Sequence, residues 1–155
     1  MLEKITSGKD KIYNYYHKVS YHETDAMRIV HHSNYIKWME DARLAYFDAV
    51  GLSYIELEEH GFASPVLGIE AKYKRPTAYG DTVRVETVMD TYNGLRFKFT
   101  YRMYVEDKLI SETASEHCFT SLDSLRPTPL TTIYPAGHEL IKNFLEGEAR
   151  IADNI

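Results

Sequence analysis

The chain has 155 residues, with 18 lysines and arginines against 23 aspartates and glutamates, so its formal charge is −5 at neutral pH. This length favours one domain over residues 1–155 and is enough to bury a core without disulfides or a structural metal. Cys118 is the only cysteine. An internal disulfide and a cysteine-rich zinc site are therefore excluded, and a reducing compartment is favoured.

Charge and hydropathy also argue against two classes of partner. The acidic balance weighs against nucleic-acid binding, which depends on a positive surface. No apolar run approaches the roughly 20 residues that span a bilayer, and the first residues lack the apolar core of a signal peptide. We therefore expect a soluble cytoplasmic protein that binds neither nucleic acid nor membrane.

Residues 13–19 alternate in character and predict a first strand. From Tyr35 to Val50 the apolar residues recur at steps of three and four, which predicts an amphipathic helix. Asn34 can cap its start and Gly51 can end it. The spacing assigns four charged residues to the polar face of this helix: Lys37, Asp41, Arg43 and Asp48.

After the helix, alternation with a period of two predicts four more strands, at residues 67–74, 83–90, 95–105 and 109–121. Pro76 should end the first of these, and Asn93-Gly94 is a strong hairpin signal between the next two. A second helix is predicted over residues 136–145. The fold class is therefore α+β, a five-stranded antiparallel sheet that curls around one central helix.

The segment between the first strand and the helix contains most of the reactive side chains. Residues 21–35 are dense in Asp, Glu, His and Asn, and they lead onto a helix N-terminus. Carboxylates thereby lie near backbone N–H groups that have no partner within the helix. Such a place can hold and polarise a carbonyl oxygen.

Several blocks in this region resemble a known family. Thr24-Asp25-Ala26, residues 29–35, Glu40-Asp41-Ala42-Arg43, residues 73–76 and Tyr79-Gly80-Asp81 are similar, in this order, to the hydroxybenzoyl-CoA thioesterase family of hotdog-fold acyl-CoA thioesterases. The resemblance covers the chain from about Tyr13 to Leu130. It implies a single hotdog thioesterase domain that hydrolyses an acyl-CoA to the free acid and CoA.

The resemblance also implies catalytic roles. Asp25 matches the catalytic carboxylate, which acts as a nucleophile or as a general base for water. His32 matches the position whose backbone N–H polarises the thioester carbonyl, and in some relatives the imidazole takes part. Family members often have glycine after the Asp-Ala or Asp-Pro pair, whereas this chain has Met27-Arg28. If the turn needs a positive φ, a residue other than glycine is strained there.

CoA is anionic, so basic residues must gather locally against the net charge. The candidates for substrate binding are Tyr35, Lys74, Arg75, Arg96 and Arg126, with Lys72, Lys98 and Arg102 as further candidates for phosphate contacts. We expect no cofactor, since CoA is part of the substrate. We also expect no metal, because the adjacent His31 and His32 point apart and no HExxH motif accompanies them.

Unpaired sheet edges and the small size of the chain predict a homo-oligomer, a dimer or a tetramer built as a dimer of dimers, with the site between subunits. Two other functions stay open at this point. One is a hotdog protein that binds acyl-CoA or acyl-carrier protein without hydrolysing it, and the other is an enoyl-thioester hydratase.

Overall fold

The structure is a computed structural model and describes residues 6–147. The strands are β1 (Thr6–Ser7), β2 (Ile12–Lys18), β3 (Phe62–Ala63), β4 (Val66–Tyr73), β5 (Thr82–Tyr92), β6 (Arg96–Val105), β7 (Lys108–Cys118) and β8 (Thr120–Ser121). The helices are α1 (Ser33–Val50), α2 (Tyr54–Glu59), α3 (Leu130–Ile133) and α4 (Pro135–Glu146), and a short 3-10 helix covers Tyr21–Glu23.

The five long strands form one antiparallel sheet in the order β2-β5-β6-β7-β4, and the short β1 continues along the β2 side of β5. Two tight hairpins join the middle strands. Gly94, at the first, has a φ of 92°, and Glu106 and Asp107, at the second, have φ values of 49° and 65°. The predicted antiparallel sheet and its hairpins are confirmed.

One face of the sheet packs against α1. The inward side chains of β6 are buried because alternate residues of a strand point to one face, and Phe97 and Phe99 meet Tyr46 and Phe47 of α1 with ring centroids 5.1–5.8 Å apart. Trp38 is also fully buried. Gly51 ends α1 with a φ of 95°, a left-handed conformation that glycine adopts readily.

Two predictions about α1 are wrong in detail. The helix begins at Ser33, so Asn34 lies inside it and is not its cap. The Asn34 side-chain amide donates instead to the carbonyl of Glu23 at 2.9 Å, which fastens the preceding loop to the helix. Arg43, assigned to the polar face, is only 7% exposed. The helix is covered on more than one side, and the sheet reaches beneath Arg43.

The β4 edge of the sheet is open. β4 pairs only with β7, and its inward side chains Ile69 and Tyr73 are 41% and 45% exposed. Leu67, in the β-bulge before Gly68, is 49% exposed. Ile36 on the neighbouring face of α1 is 38% exposed. Within the described chain, α1 therefore covers the centre of the sheet and leaves an apolar strip along β4. None of the helices in residues 6–147 is long and apolar enough to cross a membrane.

Candidate functional site

The loop that contains Asp25 is a small hairpin. Thr24 and Val30 form an antiparallel bridge, the Asp25 N–H donates to the Ile29 carbonyl at 2.9 Å, and the Arg28 N–H donates to the Asp25 carbonyl at 2.9 Å. Arg28 has a φ of 64°. The turn therefore does require a positive φ, and this chain meets it with arginine.

Asp25 sits at the base of this turn and is half-buried. One carboxylate oxygen, Oδ1, accepts a hydrogen bond from the Met27 N–H at 2.8 Å, which fixes the side-chain rotamer. The other oxygen makes no hydrogen bond with any of residues 6–147. One oxygen thus orients the group, and the other is available to a substrate or a water molecule.

The hairpin leads directly into the start of α1. The His31 N–H donates to the Glu23 carbonyl at 2.9 Å, and the Ser33 N–H donates to His31 Nδ1 at 3.2 Å. The N–H of His32, between them, has no hydrogen-bond partner in the described part of the chain. A donor of this kind at a helix N-terminus is suited to a developing negative charge. The His32 imidazole is exposed and lies beside that of His31, with ring centroids 4.3 Å apart and planes tilted by 31°. The prediction that these two side chains point apart is therefore wrong, because the backbone turns into α1 between them.

Glu23 holds the hairpin and the helix together. The residue is 5% exposed. Its carboxylate accepts hydrogen bonds from the Ser20 N–H at 2.8 Å and the Trp38 indole at 2.7 Å, and lies 2.7 Å from His17 Nε2. Burial raises the pKa of Glu23, but the hydrogen bonds from Ser20, His17 and Trp38 outweigh it and lower the net pKa. Its carbonyl accepts from His31 and Asn34.

Sequence reasoning missed Glu23, although a signal was present. Ser20-Tyr21-His22-Glu23 fits the S-x-x-E capping box, and the Glu23 carboxylate accepts from the Ser20 N–H as that motif requires. The motif predicts that the carboxylate turns back to the backbone. What it does not predict is the contribution of His17 and Trp38, which come from two other elements of the fold.

Tyr35 lies beneath the site. It is 3% exposed, its hydroxyl bonds Thr77 Oγ1 at 2.7 Å, and its ring packs against Tyr73, 5.1 Å between centroids. The Tyr73 hydroxyl in turn donates to the His32 carbonyl at 3.4 Å. In this arrangement Tyr35 supports the residues around His32 from below, and its contact with a substrate stays a prediction.

The four basic candidates divide between two ends of the sheet. Lys74 and Arg75 are exposed and follow Tyr73 directly, so they lie at the end that carries His32. Strand register places Tyr73 beside Ser111, and Ser111 beside Met103. Arg96 is seven residues before Met103 on β6, about 23 Å away at the rise of a strand.

Arg126 lies with Arg96 at that far end. Its carbonyl accepts from the Ser121 N–H at 3.0 Å, and the nearby Phe119 N–H bonds the Leu95 carbonyl at 2.9 Å. Both arginines are exposed. The structure therefore brings Lys74 and Arg75 to the Asp25 loop and places Arg96 and Arg126 away from the loop of their own chain.

The outer face of the sheet holds the remaining cations, Lys72, Lys98 and Arg102. With Lys9 they line a cavity of about 510 Å³, together with the four carboxylates of Glu70, Glu86, Asp90 and Glu112. Arg102 lies 3.6 Å from Glu112. Acids and bases balance around this cavity, so it offers a phosphate group no net positive surface. Among residues 6–147 no three His, Cys, Asp or Glu side chains gather as a metal site.

Residues 19–133 match the family model of the thioesterase-like superfamily. A proposed acyl-CoA thioesterase of Bacillus subtilis (strain 168), named YneP, is 36% identical over 122 residues, which are 78% of this chain and 88% of the relative. The crystal structure of a DHNA-CoA thioesterase from Staphylococcus aureus superposes with a TM-score of 0.83 at 29% identity and covers 91% of this chain and 99% of that one.

A 1,4-dihydroxy-2-naphthoyl-CoA hydrolase of Prochlorococcus marinus (strain NATL2A) is 26% identical over 107 residues, 64% of this chain and 69% of the relative. The sheet wrapped around α1 is the hotdog architecture that the sequence predicted. With the family match extending from the residue after β2 to the end of α3, the chain belongs to the thioesterase-like superfamily and has its hotdog fold.

Proposed function

We propose that this protein hydrolyses the thioester bond of an acyl-CoA. The observation that supports this most directly is the pairing of Asp25, which has one free carboxylate oxygen, with the unbonded N–H of His32 at the start of α1. Relatives that are named as an acyl-CoA thioesterase and a DHNA-CoA thioesterase support the same reaction.

The His32 N–H would bind the thioester carbonyl oxygen. Attack on the carbonyl carbon moves negative charge onto that oxygen, and a fixed donor is stronger toward the charged form than toward the neutral one. Such a donor contributes about 2.7–4 kcal/mol to the stability of the transition state. Because the hairpin and Glu23 fix His32 before substrate arrives, little reorganisation is needed during the reaction.

Asp25 would supply the attack in one of two ways. As a nucleophile, its free oxygen bonds the carbonyl carbon, the C–S bond breaks, the CoA thiolate takes a proton from water, and a second water cleaves the mixed anhydride. As a general base, it takes a proton from water, whose oxygen then bonds the same carbon while the thiolate leaves. Both routes require the carboxylate.

We also propose that the protein functions as a dimer formed through β4. The unpaired backbone of β4 and the exposed Leu67, Ile69 and Ile36 form an apolar edge that a second copy can cover. Two-fold pairing of β4 with its copy is antiparallel. The Val66 end of one chain would then lie beside the Tyr73 end of the other, which places the site between subunits.

Release of free thiol from a panel of acyl-CoAs tests the reaction. We expect the wild-type protein to release CoA from at least one aliphatic or aromatic member. Asp25→Asn should lose nearly all of this activity and still bind acyl-CoA, because the amide keeps the shape but cannot attack or take a proton. Asp123→Asn, an exposed aspartate in the loop after β8, is the matched control.

Activity of Asp25→Asn within a few-fold of wild type would contradict the assignment. Binding without thiol release by the wild type would favour the non-hydrolytic acyl-CoA or acyl-carrier-protein binder. Loss of enoyl absorbance without thiol release would favour the hydratase. His32→Ala should be milder than Asp25→Asn if only the backbone N–H acts, and an equally large loss would show that the imidazole takes part.

Sedimentation tests the dimer. Ile69→Lys places a charge in the apolar strip without touching the Asp25 loop, and it should convert the dimer to an 18.0 kDa monomer with little activity. Lys98→Glu on the outer face is the control and should leave the dimer intact. A wild-type protein that sediments as a fully active monomer at micromolar concentration would rule the dimer out.

A further inference from the structure

A cluster of polar side chains lies inside the fold, between α1 and strands β6 and β7. Its members are Arg43, Tyr101, Thr113, Ser115 and His117, each 7% exposed or less. The Tyr101 hydroxyl bonds Ser115 Oγ at 2.9 Å, and His117 Nε2 lies 2.7 Å from the same oxygen. Strand register pairs Tyr101 with Thr113, so the cluster is continuous across the two strands.

The cluster is incomplete. The Arg43 side chain bonds Tyr101, and His117 contacts the backbone of Ser64 and Pro65. Arg43 Nε and Thr113 Oγ1 are nevertheless buried without a hydrogen-bond partner among the described residues. Native proteins satisfy the great majority of their buried polar groups, because each one left unpaired costs about 1–3 kcal/mol. Two such atoms in one cluster indicate that something outside this chain completes it.

The charge of Arg43 indicates which kind of group would complete the cluster. Arg43 forms no ion pair with any carboxylate of residues 6–147. Its charge does reach its neighbours: burial raises the pKa of Tyr101 and the guanidinium opposes that shift, while burial and then Arg43 lower the pKa of His117 to about 3. His117 is therefore neutral at physiological pH. The cluster has a positive charge and no compensating anion.

The cluster borders the open strip along β4. Ser115 pairs with Ile69 and Thr113 with Ala71, so the polar side chains of β7 are direct neighbours of the exposed inward face of β4. A group that enters along this strip from the end with Tyr73 and His32 reaches the cluster from the side. Once a second copy covers β4, the strip becomes an enclosed channel.

Arg43 lies about 16 Å along α1 from His32, at 1.5 Å per residue. Long side chains of a helix lean toward its N-terminus, which brings the guanidinium closer to the site. From these positions we propose that Arg43 and its cluster bind a carboxylate at the far end of the acyl group, so that the enzyme selects acyl-CoAs that carry a distal carboxylate.

The proposal rests on the proposed thioesterase function and adds the class of acyl group. It competes with one explanation from within the protein. Glu40 is exposed one turn before Arg43 on α1, and in a dimer the partner's copy of that carboxylate could approach the cluster. The experiment must therefore separate a substrate anion from a protein anion.

Matched pairs of substrates provide the test. Octanoyl-CoA is compared with the same chain ending in a carboxylate, suberoyl-CoA, and hexanoyl-CoA is compared with adipoyl-CoA. We expect wild-type kcat/KM to favour the carboxylate-bearing member of at least one pair by tenfold or more. Arg43→Met, which keeps the length and removes the charge, should abolish that preference and leave kcat/KM for the apolar member unchanged or higher.

The two chain lengths show how far from the thioester the carboxylate must lie. Arg84→Met is the control, since Arg84 is already paired with Glu86 at 2.6 Å on the sheet. Arg43→Lys is a second variant in case Arg43→Met does not fold, and it should retain part of the preference because the charge remains.

Three results would overturn the proposal. The first is equal turnover of both members of each pair by the wild type. The second is an Arg43→Met variant that loses both members by the same factor. The third is a double-mutant cycle in which Glu40→Gln and Arg43→Met are strongly coupled in melting temperature, which would identify Glu40 as the missing anion. If no acyl-CoA releases thiol at all, the proposed function fails and this proposal fails with it.

Discussion

A charged side chain is buried at the start of α1 and another in its middle, and the two differ in whether the chain supplies them with hydrogen-bond and ion-pair partners. Glu23, beneath the start, has hydrogen-bond donors on both carboxylate oxygens. Arg43, in the middle, has a free Nε and no acidic partner among residues 6–147. Fully satisfied polar networks rigidify their surroundings, whereas an unsatisfied one is costly unless another molecule completes it.

This difference matches the tasks that we propose for the two regions. An oxyanion donor must be in place before the reaction, so the residues around His32 are fixed by the chain itself. A site that selects among acyl groups must leave its polar atoms free for the ligand. In this interpretation the unpaired polar atoms around Arg43 lower the stability of the fold, whereas the satisfied bonds around His32 raise it. Stability and function often oppose each other in this way.

The largest effect should come from breaking the satisfied region. Glu23→Gln places an amide where Ser20, His17 and Trp38 require an acceptor, and we expect the free energy of unfolding to fall by about 2–3 kcal/mol. Thiol release should fall as well, because the His31 N–H and the Asn34 side chain both donate to the carbonyl of Glu23 and so depend on its position. Chemical denaturation measures the first effect, with the exposed Glu58→Gln as control.

Acid gives an independent check on the same variant. The pKa of Glu23 is lowered in the folded state, so its contribution is present above its ordinary pKa and is lost as the pH falls through the folded value. The gap in stability between wild type and Glu23→Gln should therefore narrow below about pH 4. A gap that is constant with pH would show that the charge of Glu23 is not what holds the loop.

The cluster around Arg43 should make the free energy of unfolding depend on pH over a different range. The folded-state pKa of His117 is about 3 and its ordinary value is 6.5, so below pH 6.5 the unfolded chain binds a proton that the folded chain refuses. Stability should then fall with a slope that approaches about 1.4 kcal/mol per pH unit.

His117→Gln removes this titration and should flatten the curve of unfolding free energy between neutral pH and about pH 4. His60→Gln, an exposed histidine after α2, should leave the slope unchanged. Equal slopes for wild type and His117→Gln would mean that His117 is accessible to protons in the native state.

The two regions were not equally predictable from sequence. Asn93-Gly94, Gly51 and the alternation of β6 are local signals, and the structure places turns, helix end and strand where they indicate. Asp25 and His32 were predicted as site residues because several local blocks resemble a family. Arg43 was not found, because helical spacing describes one helix and cannot show how far the sheet extends beneath it. The small polar residues of β7 gave its faces no hydrophobic contrast.

A smaller effect concerns the turn of the Asp25 hairpin. A residue other than glycine in the left-handed conformation destabilises the folded state by about 1–2 kcal/mol. Glycine avoids this strain, but it lowers the stability by about 0.5–1 kcal/mol because it loses more conformational entropy on folding. Arg28→Gly should therefore stabilise the protein by up to about 1.5 kcal/mol over Arg28→Ala, which keeps the strain but also lacks the charge. If the two variants unfold at the same denaturant concentration, the turn is not strained by its side chain.

The smallest effects should come from the exposed cations. Lys74→Glu and Arg75→Glu should each raise KM a few-fold with little change in kcat, since phosphate contacts hold substrate and transition state alike. The increase should shrink at high salt because exposed charges are screened. Lys72→Glu, on the balanced outer face, should have no effect. An effect on kcat instead of KM would assign these residues to the chemical step.

Arg96 and Arg126 can reach a CoA only at the site of a second copy, because they lie about 23 Å from the His32 end of their own sheet. Arg96→Glu and Arg126→Glu should raise KM only if the dimer pairs β4 with β4. Mixed dimers of an Asp25→Asn chain and an Arg96→Glu chain isolate this contribution. Their one competent site keeps Asp25 on the Arg96→Glu chain and faces an intact Arg96 on the other, so KM should return to the wild-type value at half the rate. A KM that stays raised in the mixed dimer would place Arg96 at the site of its own chain and contradict the antiparallel arrangement.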